Sequence, residues 1–141
     1  MVTRILTNDC VVCELDDNIP VLRHRWIKKP TGEEFMEGLQ TMQREYNKLK
    51  PEYPDLKWLA DTELLGELSD EVEEWLTETW DHLLFEESGV KAHAVILGED
   101  LYADYPMEKF KMSSAEKFDK MGVKLALFAD INSAYEWLRS V

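Results

Sequence analysis

The sequence predicts an α/β fold: a mixed sheet that begins with an antiparallel hairpin, continues through parallel βα units and is covered by helices. Three observations predict it. Short alternating runs fill the first 28 residues, strand-like and helix-like segments then take turns to the C-terminus, and capping residues stand where the helices must open.

Residues 3–8 and 10–16 are rich in Val, Ile, Leu and Thr and read as strands. Asp16-Asp17-Asn18-Ile19-Pro20 is a turn. Val21 to Lys28 alternates with period 2, with Leu22, His24 and Trp26 on one face and Val21, Arg23, Arg25 and Ile27 on the other. Thr31 followed by Glu34 is a capping box. The helix behind it carries Phe35, Leu39, Met42, Tyr46 and Leu49 on one face, and Pro51 and Pro54 close it.

Lys57 to Asp61 reads as a buried strand. Ser69 or Asp70 then caps a second helix, with a 3.6-residue stripe of Val72, Trp75, Leu76, Thr79, Trp80, Leu83 and Leu84. Gly89 stops it, and Lys91 to Leu97 is the next strand. Residues 101–112 are Tyr-, Met- and Phe-rich and give little secondary-structure signal. Ser113 with Glu116 opens a third helix, Val123 to Ala129 is the last strand, and Asp130 or Asn132 caps a final helix. The order β-β-β-α-β-α-β-α-β-α, with no repeat or linker, is expected to form a single domain spanning 1–141.

The composition is globular, with 45% hydrophobic residues and five Trp. No stretch approaches the roughly 20 apolar residues of a transmembrane helix, and the start has no signal-peptide pattern, so a cytoplasmic location is expected. Charge is unevenly placed. Between Lys57 and Lys91 there is no base but eleven acids, which supply −11 of the net −13. Such a field repels nucleic acid and attracts a basic protein partner.

Chemistry-bearing motifs are sparse. No phosphate-binding glycine loop, nucleophile elbow or zinc-protease pattern occurs, so no cofactor, no metal and no enzymatic activity are expected. Cys10 and Cys13 form a C-x-x-C within a strand, where residues three apart point to opposite faces and cannot pair. His24 and His93 read as core residues with satisfied hydrogen bonds. Asp61, Asp100 and Asp130 end strands, where carboxylates can hold Mg²⁺ for phosphoester hydrolysis or simply cap turns and helices.

Trp26, the Trp58-Leu59-Ala60-Asp61-Thr62 run, Leu68-Ser69-Asp70 followed by Trp75, Ala94-Val95-Ile96, and Phe128-Ala129-Asp130 with Ala134, Trp137 and Leu138 carry a family likeness. Over about residues 15–139 the chain resembles the SpoIIAA-like group of STAS domains, related in fold to CRAL-TRIO lipid-binding domains. The resemblance implies a non-catalytic module that binds a protein or an apolar ligand or lipid. Related regulators switch by phosphorylation of a serine in an Asp-Ser-Ser-Gly-type loop. The matching place is Leu68-Ser69-Asp70, which lacks the Ser-Gly part, so Ser69 is either a switch or a helix cap.

An apolar cavity is expected between the sheet and residues 101–112, lined by some of Trp75, Trp80, Tyr102, Tyr105 and Phe110, with Asp61 and Thr62 as polar anchors. Alternatives are a regulator that holds a basic partner on the acidic 63–87 face, or the Mg²⁺ hydrolase. Homodimerisation is compatible with all three.

Overall fold

A computed structural model describes residues 1–66, 68–97 and 122–141. The sequence-predicted third helix and the 101–112 segment lie outside them. The described residues form one six-stranded mixed sheet: β1 (Val2–Thr7), β2 (Val11–Asp16), β3 (Val21–Trp26), β4 (Lys57–Asp61), β5 (Ala92–Ile96) and β6 (Lys124–Phe128). β1–β2 and β2–β3 pair antiparallel, and the pairings from β3 to β6 are parallel. The architecture matches the expectation, with strand ends shifted by a residue or two.

The pleat sorts side chains onto two faces. On one face Leu22, His24 and Trp26 of β3 lie beside Trp58 and Ala60 of β4, and those beside His93 and Val95 of β5. Helix α1 (Gly32–Leu49) covers this face through Phe35, Leu39, Met42 and Tyr46. Its N-terminus is held as predicted: Glu34 N–H donates to Thr31 Oγ1 at 3.2 Å, and Thr31 N–H donates back to Glu34 Oε1 at 2.9 Å. Gly38 brings α1 close to the sheet, since a Cβ there would stand 3.1 Å from the Trp26 ring. On the other face Val21, Leu59, Ala94 and Ile96 pack against Ala134, Tyr135 and Leu138 of α3 (Ile131–Ser140).

Helix α2 (Asp70–Trp75) departs from the sequence reading. Ser69 caps it by accepting from Val72 N–H at 3.2 Å. The chain then continues as two π-helical segments, Leu76–Trp80 and His82–Glu87, whose ends bond five residues back: Asp81 N–H to Leu76 O and Ser88 N–H to Leu83 O. The wider turn lengthens the period. Val72, Trp80, Leu84 and Ser88 are buried and Leu76 half-buried, at spacings of four, whereas Thr79 turns out to solvent. Every residue of the predicted stripe except Thr79 is thus buried or half-buried, and Phe85, absent from that stripe, is buried as well. Gln43 fastens the end of this segment to α1 through bonds to Ser88 Oγ at 3.0 Å and Leu83 O at 3.2 Å. Gly89, at φ +72°, makes the left-handed stop.

The cysteines also differ from expectation. Cys10 precedes β2 in a turn built on Asn8, whose Oδ1 accepts from Cys10 and Val11 N–H. Strand alternation therefore does not separate it from Cys13, and both enter the same apolar cluster as free thiols. Burial pushes both thiols up, Cys13 to about 12, so neither is a thiolate at neutral pH.

Candidate functional site

A cavity of about 210 Å³ lies between the sheet and the helices. Its origin is a size mismatch in one row of the sheet. Ala60 sits between His24 and Val95 in register, with Trp58 before it and Thr62 after it on the same face. Large rings surround a methyl group, and the space above that methyl is left over.

Among the described residues, Trp26, Phe35, Trp58 and Trp80 supply rings to the lining. His24, Thr62, Asp81 and His93 supply polar groups, and Leu39, Leu65, Leu68, Leu76 and Val95 complete it. The rings brace one another. Trp26 and Phe35 have centroids 5.1 Å apart, Trp58 and Trp80 5.8 Å, and His24 meets Trp26 and Trp58 edge-on at 5.9 and 5.6 Å. Such packing holds the wall side chains in place without polar contacts.

Two of the lining residues carry unpaired polar atoms. The Trp26 indole Nε1 and both ring nitrogens of His93 are shut off from solvent and have no hydrogen-bond partner among the described residues. A buried donor or acceptor left unpaired costs about 1–3 kcal/mol. Burial, together with the neighbouring His93, pushes the His24 imidazole down to about 3; burial alone does the same for His93. Both rings are neutral at pH 7, each with one N–H and one lone-pair nitrogen. The expectation of satisfied core histidines fails at His93. Thr62 is already engaged, its Oγ1 donating to Ile96 O at 2.7 Å.

Of the sequence-predicted site residues, Trp80 and Thr62 line this cavity. Trp75 does not. It is half-buried and stacks on Trp80 with centroids 5.8 Å apart and planes 22° from parallel. Asp61 does not either, because adjacent strand residues face opposite ways. Tyr102, Tyr105 and Phe110 lie outside the described residues. Four contributors were missed by sequence reasoning: Trp26, Trp58, His24 and His93. The alternation in β3 and the Trp58–Ala60 size contrast in β4 were the available signals.

Asp61 instead lines a groove of about 610 Å³ on the opposite face, together with Asp130, Glu63, Glu14, Arg4, Arg23 and Arg25. Asp61 Oδ1 accepts from Glu63 N–H at 3.1 Å, and Asp130 caps α3 by accepting from Ser133 N–H at 2.8 Å. Glu14 is shared between Arg23 at 3.2 Å and Arg4 at 3.5 Å, and Arg23 also bonds the Tyr135 hydroxyl. Asp100 lies outside the described residues. Among those described, no group of three or more His, Cys, Asp or Glu could hold a metal ion, and no helix is long and apolar enough to cross a membrane.

Comparison of the chain with protein-family models, with curated proteins and with solved structures finds no match in any of the three.

Proposed function

We propose that the chain is a non-catalytic binding module, of the kind the SpoIIAA-like resemblance implies, and that its ligand is a compact, mainly apolar molecule held above Ala60. The observation that carries this reading is a cavity walled by the rings of Trp26, Phe35, Trp58 and Trp80. An apolar cavity of roughly 150 Å³ suffices to take up benzene. At about 210 Å³ this one suits a single or fused ring. It is smaller than the roughly 300–1,000 Å³ of pockets for drug-sized ligands, so a ring compound is favoured over a long acyl chain or intact lipid.

The test is titration of the purified protein with indole, followed by isothermal calorimetry. Saturable binding is expected, and Ala60→Leu, which fills the floor, is expected to abolish it. Failure of wild-type protein to bind any ring compound would favour the second reading, a regulator that holds a basic protein. That reading rests on the exposure of Glu63, Asp70, Glu71, Glu73, Glu74, Glu78, Glu86 and Glu87 along a segment without lysine or arginine. Binding of a polylysine peptide that falls steeply between low and physiological salt would support it.

A further inference from the structure

We propose a second binding site on the other face of the sheet: the groove of about 610 Å³ beside α3 takes a small zwitterion with an apolar body, such as an apolar α-amino acid. It lies across the sheet from the cavity above Ala60, and the two are tested independently.

The groove exists because α3 covers only part of its face. Val21, Leu59, Ala94 and Ile96 pack against α3, whereas Arg4, Glu14, Arg23 and Arg25 carry the same face on across β1, β2 and β3. Leu59 and Ile96, both buried, give the groove an apolar floor. Ile27 and Ile131 line it as well and are 41% and 42% exposed, so an apolar body laid there removes their surface from water.

Charge is divided along this groove. Glu14 is one carboxylate shared between the guanidinium groups of Arg4 and Arg23, so that trio keeps a positive charge. Arg25 adds another. It is exposed and has no ion pair among the described residues. On the other side stand Asp61, Glu63 and Asp130. The carboxylates of Asp61 and Asp130 each accept a backbone N–H, which leaves lone pairs over on both.

The two signs meet at one place. Arg25 of β3 and Asp61 of β4 are register partners, so their side chains leave the same face of neighbouring strands about 4.8 Å apart. Both line the groove, yet they form no ion pair with each other. An α-amino acid carries its ammonium and carboxylate on either side of one carbon. That head group fits between two such neighbours, carboxylate on the Arg25 guanidinium and ammonium on the Asp61 carboxylate. A simple anion would face three carboxylates, a simple cation would face the arginines, and a hydrocarbon would cover both charges without pairing either.

The experiment titrates isotopically labelled protein with L-leucine and follows the backbone amide NMR signals. Saturable shifts are expected at Arg25, Asp61 and Ile131. Glycine lacks the apolar body, leucinamide the carboxylate and 4-methylpentanoate the ammonium. Each is expected to bind roughly tenfold more weakly than leucine, or worse. Arg25→Gln and Asp61→Asn are each expected to weaken leucine binding roughly five- to tenfold, the worth of one partly exposed charge-assisted bond. Neither should disturb folding. Arg25 has no ion pair among the described residues to lose, and in Asp61→Asn the amide oxygen still accepts from Glu63 N–H. Should a variant fail to fold, the three truncated probes on the wild type decide alone. No saturation with leucine, a leucine affinity unmoved in either variant, or a truncated probe binding as tightly as leucine would overturn the site.

Discussion

Ala60 and His93 show how much one position can decide. Ala60 opens the cavity by being small, and His93, one of its lining residues, holds two shielded nitrogens that have no partner among the described residues. A group kept in that state lowers stability unless something else depends on it. His93→Phe removes both nitrogens and keeps a ring beside free space. It is expected to stabilise the ligand-free protein by about 1–2 kcal/mol, read from the urea midpoint. A loss of stability instead would mean that the imidazole has a structural partner. At this scale the sequence was partly legible. The alternation in β3 placed Leu22, His24 and Trp26 on one buried face, as found. Asp61 and Thr62 both end a strand, which marks them as anchors in the sequence, yet the same alternation sends them to opposite faces. His93 was unreadable, because whether a buried nitrogen finds a partner depends on neighbours brought together from other strands.

At the scale of elements, the helices divide by what holds them. Helix α1 is specified locally, by its capping box and a regular apolar stripe, and its boundaries follow from the sequence. Thr31→Ala should cost about 1 kcal/mol in urea unfolding, within the usual range of 0.5–2 for a lost N-cap. An unchanged midpoint would show that packing alone holds the first turn. The 70–87 segment is specified by tertiary contacts. Val72, Trp80 and Leu84 must all reach one cluster while Gln43 of α1 fixes Ser88 and Leu83 at the far end. The chain meets both demands by widening its turns. Periodicity on a single sequence assumes 3.6 residues per turn, so it placed Thr79 inward and passed over Phe85.

At the scale of the whole molecule, burying two neutral histidines makes stability depend on pH. The unfolded chain takes up protons on both imidazoles below about 6.5, whereas in the folded protein both stay neutral down to about 3. Between these values the unfolded state binds more protons, so stability rises with pH. The contribution is fully present above about 6.5 and is lost as pH falls toward 3. Urea midpoints measured from pH 7 to 5 should therefore decline, with an uptake on unfolding that approaches two protons near pH 5. His93→Phe should reduce that uptake to about one. Midpoints that do not move would mean that both rings reach water in the folded state.

The order of strands in the sheet is also their order along the chain. Each strand docks on an edge that its predecessor has just made, and none must be inserted between two already in place. A chain emerging from the ribosome can therefore lay down the sheet from β1 onward, with α1 and α2 arriving in time to cover the aromatic face. The opposite face must wait. Val21, Leu59, Ala94 and Ile96 are covered by α3, which follows the last strand. Until those final residues are synthesised, a nascent chain presents a strip of apolar side chains across β3, β4 and β5. That strip is what a chaperone would meet first, and ribosome-stalled chains ending before residue 124 are where such an encounter can be caught.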